Sequence, residues 1–252
     1  MIKEPPLNKS EMIKHFFLVI FLTYWTLGAT QTYTNGVITY SVDMDDYIER
    51  MESSNESSPS DDLMRRTANN IKKFTAQLEF DDFRAIFRVP QALSIDIDNK
   101  FDDMVKSFVS NGIYFTDLEK NHQMWTTEFD GKEINVLKER KENEWVLQNE
   151  KKKIGDFICH KAVFLRVVNG KEQEIIAWYA PEIPIQLGPK DYFGQLPGLI
   201  LELKEPFLTY KCSRIKFGEN KIAKWPTFKN MMSETDYNDL MEKTWGSLLR
   251  NR

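Results

Sequence analysis

The sequence contains few cysteines and no glycine-rich phosphate-binding loop. Two cysteines among 252 residues are too few for a disulfide scaffold or for a zinc site with four thiolates. The missing loop argues against a kinase or an ATPase. A formal net charge of -4 gives no electrostatic reason to expect nucleic acid as a partner. Hydrophobic residues make up 41% of the chain, which is too many for a disordered protein.

Catalytic motifs are missing as well. The chain has neither a Gly-x-Ser-x-Gly elbow nor a His-Glu-x-x-His zinc motif. Beyond the N-terminal segment the histidines are His122 and His160, and neighbouring Cys159 and His160 would point to opposite faces of a strand. The acidic cluster at residues 96–103 has Phe101 where an EF-hand loop needs glycine. We therefore predict a protein without catalytic residues, metal or cofactor.

The N-terminus has the features of an export signal. Three lysines precede an apolar run at Phe16–Leu27, and small residues follow it. The run is about a dozen residues long, whereas a helix that spans a bilayer takes ~20. We predict a secretory signal peptide over residues 1–30, cleaved near Ala29; a membrane anchor is the alternative. The mature chain would be exported, either to the periplasm or outer membrane or out of the cell, with no transmembrane span.

Beyond residue 36, hydrophobic and polar residues alternate, which indicates β-strands. The clearest runs are residues 38–42 and 83–89, and further strands are expected at 199–203 and 207–217. We predict a single domain over residues 31–252 with a mainly β (α+β) fold. Its core element would be a curved antiparallel sheet or half-barrel of about eight to ten strands, with two or three helices packed on it.

Helical spacing of apolar residues occurs in three places. Two short amphipathic helices are expected, one within residues 63–74 and one at 101–108. Ser233 resembles the first residue of a capping box and opens a C-terminal helix at about 234–250. The acidic, serine-rich stretch at 51–62 cannot bury a face, so we predict a solvated loop there.

Two dipeptides predict β-hairpins. Asp-Gly at 130–131 and Asn-Gly at 169–170 both suit a two-residue turn with positive φ at each central position. In the second hairpin, counting outward from the turn places Phe164 opposite Ile175. Both faces of this hairpin carry apolar residues, so we predict that both faces are covered.

Three blocks in the second half of the chain occur in a fixed order. They are KKIGDFICHKA at 152–162, AWYAPEIP at 177–184 with Gly-Pro at 188–189, and QLPGLI at 195–200. Together these blocks resemble the motifs of the GLPGLI family. The resemblance implies an envelope protein of Gram-negative type that carries a signal peptide, and it brings no catalytic residue.

The third block departs from the family pattern at its first position, where Gln195 replaces glycine. The rest of the hexapeptide is Leu196, Pro197, Gly198, Leu199 and Ile200. Residues 196–199 fit a type II turn, with proline second and glycine third. If the first position needs positive φ, Gln195 costs about 1–2 kcal/mol unless Gly194 takes that conformation.

Large apolar residues are concentrated between Ala180 and Leu203, where prolines restrict the backbone. One hypothesis is a preformed apolar groove that binds a lipid, an acyl chain or a hydrophobic peptide. The alternative is a lid that fills one end of the sheet. The candidate ligand-binding residues are Trp178, Tyr179, Tyr192, Phe193, Leu196 and Leu199.

The two cysteines would enter a compartment in which disulfides persist. A bond between Cys159 and Cys212 would close a loop of about fifty residues and contribute around 4 kcal/mol in the chain-entropy model. The alternative is two separate buried thiols. Whether the two strands are neighbours cannot be read from the sequence, so both alternatives stand.

These observations predict a non-catalytic exported protein that binds a hydrophobic ligand or an outer-membrane protein. One alternative is an interaction module that docks on an envelope complex through its sheet edge. Another is an envelope hydrolase that uses acidic residues such as Glu182 or Asp191. A carrier should contain an apolar cavity, an interaction module should have a filled core and an exposed apolar patch, and a hydrolase should place two carboxylates in one cleft.

Overall fold

The computed structural model describes residues 33–54, 58–90, 100–140, 142, 144–168, 170–218, 222 and 225–250, without the side chains of 168 and 245–250. The predicted signal peptide at 1–30 lies outside these residues. Among the described helices, none is both long enough and apolar enough to cross a membrane.

Twelve strands form one sheet within the described residues. They are β1 (Asn35–Asp43), β2 (Thr75–Asp81), β3 (Arg84–Arg88), β4 (Ile113–Asp117), β5 (His122–Phe129), β6 (Lys132–Glu139), β7 (Val146–Ile154), β8 (Phe157–Val168), β9 (Lys171–Ala180), β10 (Leu199–Lys204), β11 (Thr209–Phe217) and β12 (Met231–Ser233). Their order is β12-β6-β5-β4-β3-β2-β1-β11-β10-β9-β8-β7. The neighbours are antiparallel except β12, which runs parallel to β6. The predicted mainly β class is confirmed, with more strands than the eight to ten expected.

The sheet is open and curved. In the described part of the chain its outermost strands, β12 and β7, do not pair with each other. Phe157 of β8 lies 6.2 Å from Phe217 of β11, measured between ring centres, although β9 and β10 separate their strands. A contact across two intervening strands requires the sheet to bend around its core.

Four helices accompany the sheet in the described residues: α1 (Asp45–Ser53), α2 (Asp61–Ile71), α3 (Lys100–Val109) and α4 (Glu234–Arg250). The last three confirm the predicted helices, and Ser233 Oγ accepts the N-terminal hydrogen bond of α4 from Asp236 N at 3.0 Å. The predicted loop at 51–62 is shorter than expected, because α1 includes 51–53 and α2 includes 61–62. Acidic residues at the start of α1 and Arg50 near its end favour this helix through its dipole.

The core lies between one face of the sheet and the helices. Val105 and Val109 of α3 are fully buried, and the hydroxyl of Tyr210 donates a hydrogen bond to Val109 O at 2.6 Å. The Phe87 ring lies 6.1 Å from the rings of both Tyr114 and Tyr210. Aromatic side chains from distant strands therefore meet under α3 and make the centre of the core.

Both predicted hairpins form. In the first, Asp130 and Gly131 have φ of 52° and 70°, as the turn requires. In the second, Phe164 lies opposite Ile175 as predicted, and the register is regular from His160 to Val168. The register of the second hairpin is thus the one predicted from its turn.

Candidate binding surface

The proline-rich segment, residues 181–198, connects β9 to β10 and folds back onto the sheet. Leu199 N donates to Ile183 O at 3.0 Å, and Ile200 N donates to Leu187 O at 2.9 Å. The large apolar side chains of the segment are at most 9% exposed: Ile183, Ile185, Leu187, Tyr192, Phe193 and Leu196. The segment is therefore part of the core.

The candidate ligand-binding residues lie in this packed region. Five of the six are buried: Tyr179, Tyr192, Phe193, Leu196 and Leu199. The sixth, Trp178, is half-buried, and its ring centre lies 4.3 Å from Lys152 Nζ. The space beside Trp145 and the segment is about 10 Å³, roughly what a single water needs. The segment thus fills this end of the sheet, as the lid alternative expects, and ligand binding at the six residues stays a prediction.

The glycine of the hexapeptide has a different role from the one that the predicted turn gave it. Gly198 does not adopt the positive φ of a type II turn, so that prediction is wrong. A Cβ at Gly198 would lie 2.3 Å from Ala180 O, which shows that glycine is needed there for close packing. The positive φ belongs to Gly194, at 72°, and not to position 195. Gln195 instead accepts a hydrogen bond from Trp145 Nε1 at 2.7 Å.

A nearly buried ion pair fixes the middle of the segment. Lys190 Nζ lies 2.8 Å from Glu205 Oε2, and the Tyr192 hydroxyl donates to Glu205 Oε1 at 3.0 Å. Gln123 Nε2 on β5 donates to Lys190 O at 2.9 Å. Burial by itself lowers the pKa of Lys190, but Tyr210 and Glu205 outweigh it and hold that pKa well above its usual value. The pair is charged at neutral pH and attaches the segment to two separate parts of the sheet.

A second lysine connects the segment to β6 and α4. Lys138 Nζ lies 3.7 Å from Asp191 and 3.6 Å from Glu234, and 4.8 Å from the centre of the Trp125 ring. One cation between two carboxylates holds three elements together. Of the two acids considered for a hydrolase, Asp191 is engaged by Lys138 and Glu182 is exposed on the surface.

The cysteines are free thiols. Cys159 lies on β8 and Cys212 on β11, with β9 and β10 between their strands. The structure shows the two separate thiols of the alternative, and the disulfide is not formed. Burial raises the pKa of Cys159 to about 12 and that of Cys212 to about 11. Burial therefore favours the protonated thiol at both positions.

The second hairpin is covered on one face only near its turn. Phe164 and Ile175 are buried, and the Trp145 ring packs 4.6 Å from the Phe164 ring. On the opposite face, Leu165 and Val167 are 57% and 66% exposed. The prediction that both faces are covered is wrong here, because Trp145 and the proline-rich segment pack against the Phe164 face alone.

The uncovered face continues onto β7. Val146 lies opposite Val163 in the ladder and is 59% exposed. We call this surface the edge patch and define it by Val146, Val163, Leu165 and Val167. Two glutamates, Glu144 and Glu174, line a shallow depression of about 350 Å³ in it together with the apolar side chains.

The edge patch adjoins a free strand edge. Within the described residues β7 is the outermost strand on its side of the sheet, so one side of its backbone has no strand partner. The second half of β7 carries three successive lysines at 151–153, whereas the first half, Val146–Asn149, carries no charge. At the other edge, β12 has three residues and runs directly into α4. The first half of β7 is thus the more accessible edge.

Sequence reasoning identified neither β7 nor the edge patch. The signal available was the pair of apolar residues at 146–147 before a run of charged ones. Lys190 was missed as well, although it follows the Gly-Pro of the second block, because a lysine after a turn is typically solvated. In both cases the sequence gives the residue types, but it does not indicate which of them the fold buries and which it leaves exposed.

Comparison with protein families gives one match. Residues 166–202 match the family described as "Protein of unknown function (Porph_ging)". The matched residues include the end of β8, all of β9, the proline-rich segment and the first four residues of β10. No curated protein matches the sequence.

Two solved structures share the fold. "Structure of PNGF-II in P21 space group" has a TM-score of 0.52 and 14% identity, and the match covers 82% of this chain and 32% of that one. "Structure of PNGF-II in C2 space group" has a TM-score of 0.50 and 15% identity, with coverage of 83% and 33%. The chain spans about a third of their length, and at this identity the likeness shows the fold alone.

Proposed function

We propose that the protein is a non-catalytic, exported binding module that takes up an extended segment of another envelope protein along the first half of β7. The observation that carries this proposal is the position of an unpaired strand edge beside an apolar surface that the fold leaves open. An added strand would bond to the β7 backbone and cover the edge patch with its side chains.

The distribution of charge along β7 supports this proposal. Natural proteins protect edge strands with lysines, because an exposed apolar edge pairs with other chains. The lysines at 151–153 and the shift in the β7–β8 register between Leu147 and Lys151 protect the second half of β7, whereas Val146 and Leu147 before them carry no charge and pair regularly with β8. An edge strand that is protected against pairing over only half of its length is consistent with a binding site for one specific partner strand.

The envelope location rests on the N-terminal segment and the three sequence blocks. Residues 1–30 have the pattern of a secretory signal, and the blocks at 152–162, 177–184 and 195–200 resemble the GLPGLI family. Membership of that family and export to the cell envelope are part of the proposal. A hydrophobic small ligand is less well supported, because the proline-rich segment fills the space where it would bind.

Site-specific crosslinking in the native envelope tests the proposal. A photoreactive amino acid at Leu147 of the full-length protein should crosslink to one partner, at a segment that mapping shows to be extended. Val146→Lys places a charge on the open edge and should abolish that crosslink. The matched control is Phe83→Lys, because Phe83 is 55% exposed in the turn between β2 and β3. Thermal melting verifies that both variants fold, and a crosslink that survives Val146→Lys would contradict the proposal.

A further inference from the structure

We propose that the segment bound along β7 inserts an arginine or lysine side chain into the depression of the edge patch. This inference rests on the proposed function and specifies the chemistry of the partner. It follows from the two glutamates that line the depression and from the apolar surface between them.

Neither glutamate of the depression, Glu144 or Glu174, forms an ion pair within the described residues. Glu174 also lines a neighbouring depression with Arg50 and Lys204, but neither of these cations pairs with it there. Glu172, opposite exposed Val167 in the β8–β9 ladder, is unpaired in the same part of the structure. The edge patch is therefore an apolar surface with a negative margin.

Other glutamates in this half of the sheet are neutralised by lysines. Each such pair has its charged atoms within 3 Å of each other: Glu150 with Lys161 at 2.7 Å, Glu202 with Lys152 at 2.7 Å and Glu205 with Lys190 at 2.8 Å. These three carboxylates are thus neutralised by lysines of the fold, whereas Glu144 and Glu174 form no ion pair in the part of the chain that the structure describes.

A long basic side chain fits both parts of the depression. Its aliphatic stem would lie on Val146, Val163 and Leu165, and its charged head would reach the two carboxylates at the margin. Arginine and lysine combine such a stem with a cation, whereas an acidic or purely apolar side chain would leave the carboxylates unpaired. The geometry therefore favours a partner strand with a basic residue near Val146.

Two matched peptides test this inference on the full-length protein. Both are nine-residue peptides that alternate valine and threonine, one with arginine at the centre and the other with its neutral isostere citrulline. In fluorescence anisotropy at low salt, the arginine peptide should bind about tenfold more tightly, because two exposed carboxylates each contribute modestly. The difference should shrink as salt is raised.

Glutamine variants identify the carboxylates. In Glu144→Gln/Glu174→Gln the preference for the arginine peptide should fall to about onefold. The matched control, Glu119→Gln/Glu128→Gln, removes two exposed glutamates from other strands and turns and should keep the preference. Equal binding of both peptides to the unmodified protein would overturn the inference and leave strand addition intact. If neither peptide binds, the proposed function fails as well.

A second copy of the chain is the other occupant that the experiment distinguishes. Antiparallel self-pairing of β7 would bring the lysines at 151–153 of one copy near Val146 of the other. Such a pairing would also bring basic side chains to the depression, so size-exclusion chromatography separates the two occupants: a monomer is expected when the partner is a segment of another protein. A dimer that dissociates in Val146→Lys would overturn the proposal of a basic partner segment.

Discussion

At the scale of single residues, Gly198 shows how one position controls the proline-rich segment. The segment crosses the end of β9 there, and a Cβ would lie 2.3 Å from Ala180 O and 2.7 Å from its carbonyl carbon. Both are backbone atoms, so they cannot rotate away as a flexible side chain could. Glycine at this position is a packing requirement, and the crossing would have to open to admit a larger residue.

Gly198→Ala should destabilise the protein by about 1–3 kcal/mol, the usual cost of adding a methyl group to a packed site. Urea denaturation measures this change as a lower midpoint at an unchanged slope. Gly131→Asn is the control, because Gly131 has positive φ with no atom near its missing Cβ, and asparagine tolerates that conformation. Equal midpoints for Gly198→Ala and the unmodified protein would contradict the packing argument.

The sequence indicated that the backbone of this hexapeptide is constrained, but it did not indicate what constrains it. Proline followed by glycine predicted a type II turn from local residues alone. The actual constraint comes from Ala180, which lies eighteen positions earlier in the chain (198 less 180). A close approach between two parts of a backbone has no local signature, so sequence reasoning identified the residue and assigned it the wrong role.

At the scale of elements, the most buried ion pair that attaches the proline-rich segment is the one between Lys190 and Glu205. Lys190 and Glu205 have side chains that are 17% and 11% exposed. Removing one partner from such a pair leaves the other charge in a poorly solvated place. The segment contains no helix or strand of its own, so its position relies on this contact and on apolar packing.

Lys190→Met should destabilise the fold by about 3–5 kcal/mol, because Glu205 would remain without its cation. Hydrogen exchange should accelerate at 181–198 before it does so in the strands. Lys211→Met is the control: Lys211 pairs with Asp43 at 2.9 Å, but its side chain is 46% exposed, and such a pair contributes about 1 kcal/mol or less. Similar decreases in the free energy of unfolding for the two variants would contradict a special role for Lys190.

Hairpins were the elements that the sequence predicted best. The turn at 130–131 fixes its own register, since two residues with positive φ admit one pairing. The strand β7 was missed, although Val146 and Leu147 suggest a strand, because the lysines at 151–153 obscure the alternation. The exposure of Leu165 was also unpredictable, since it depends on which face Trp145 and residues 181–198 cover.

At the scale of the whole molecule, the strand order joins distant parts of the chain. β1 pairs with both β2 and β11, so the two halves of the sheet meet at the N-terminal strand. The connection from β6 to β7 runs from near one edge of the sheet to the other edge. The β class and the C-terminal helix could be predicted from periodicity, but this order could not, because it depends on contacts far apart in sequence.

Buried tyrosines and Lys190 give the whole molecule a common dependence on pH. Burial raises the pKa of four tyrosines above their usual value: Tyr40, Tyr114, Tyr192 and Tyr210. The pKa of Lys190 is also raised. Each group holds its proton more tightly in the folded chain than in the unfolded chain. Their contribution to stability is therefore complete below the pKa values that tyrosine and lysine have in the unfolded chain. It is lost as the pH rises above those values.

The free energy of unfolding should consequently fall above about pH 10, where tyrosine and lysine of the unfolded chain begin to lose protons. Each group can contribute up to ~1.4 kcal/mol per pH unit to the slope. Urea denaturation at pH 8, 9, 10 and 11 (about one unit apart across the titration range) measures how the free energy of unfolding changes with pH.

Tyr210→Phe separates this linkage from ordinary loss of packing. The variant loses the hydrogen bond to Val109 O, so it should be less stable at pH 8, but its stability should fall less steeply above pH 10 because one titrating group is gone. Tyr47→Phe in α1 is the matched control, since Tyr47 is only half-buried. If the slope of Tyr210→Phe equals that of the unmodified protein, Tyr210 titrates alike in the folded and unfolded chains. The alkaline loss of stability would then have to come from Lys190 and from the other buried tyrosines, Tyr40, Tyr114 and Tyr192.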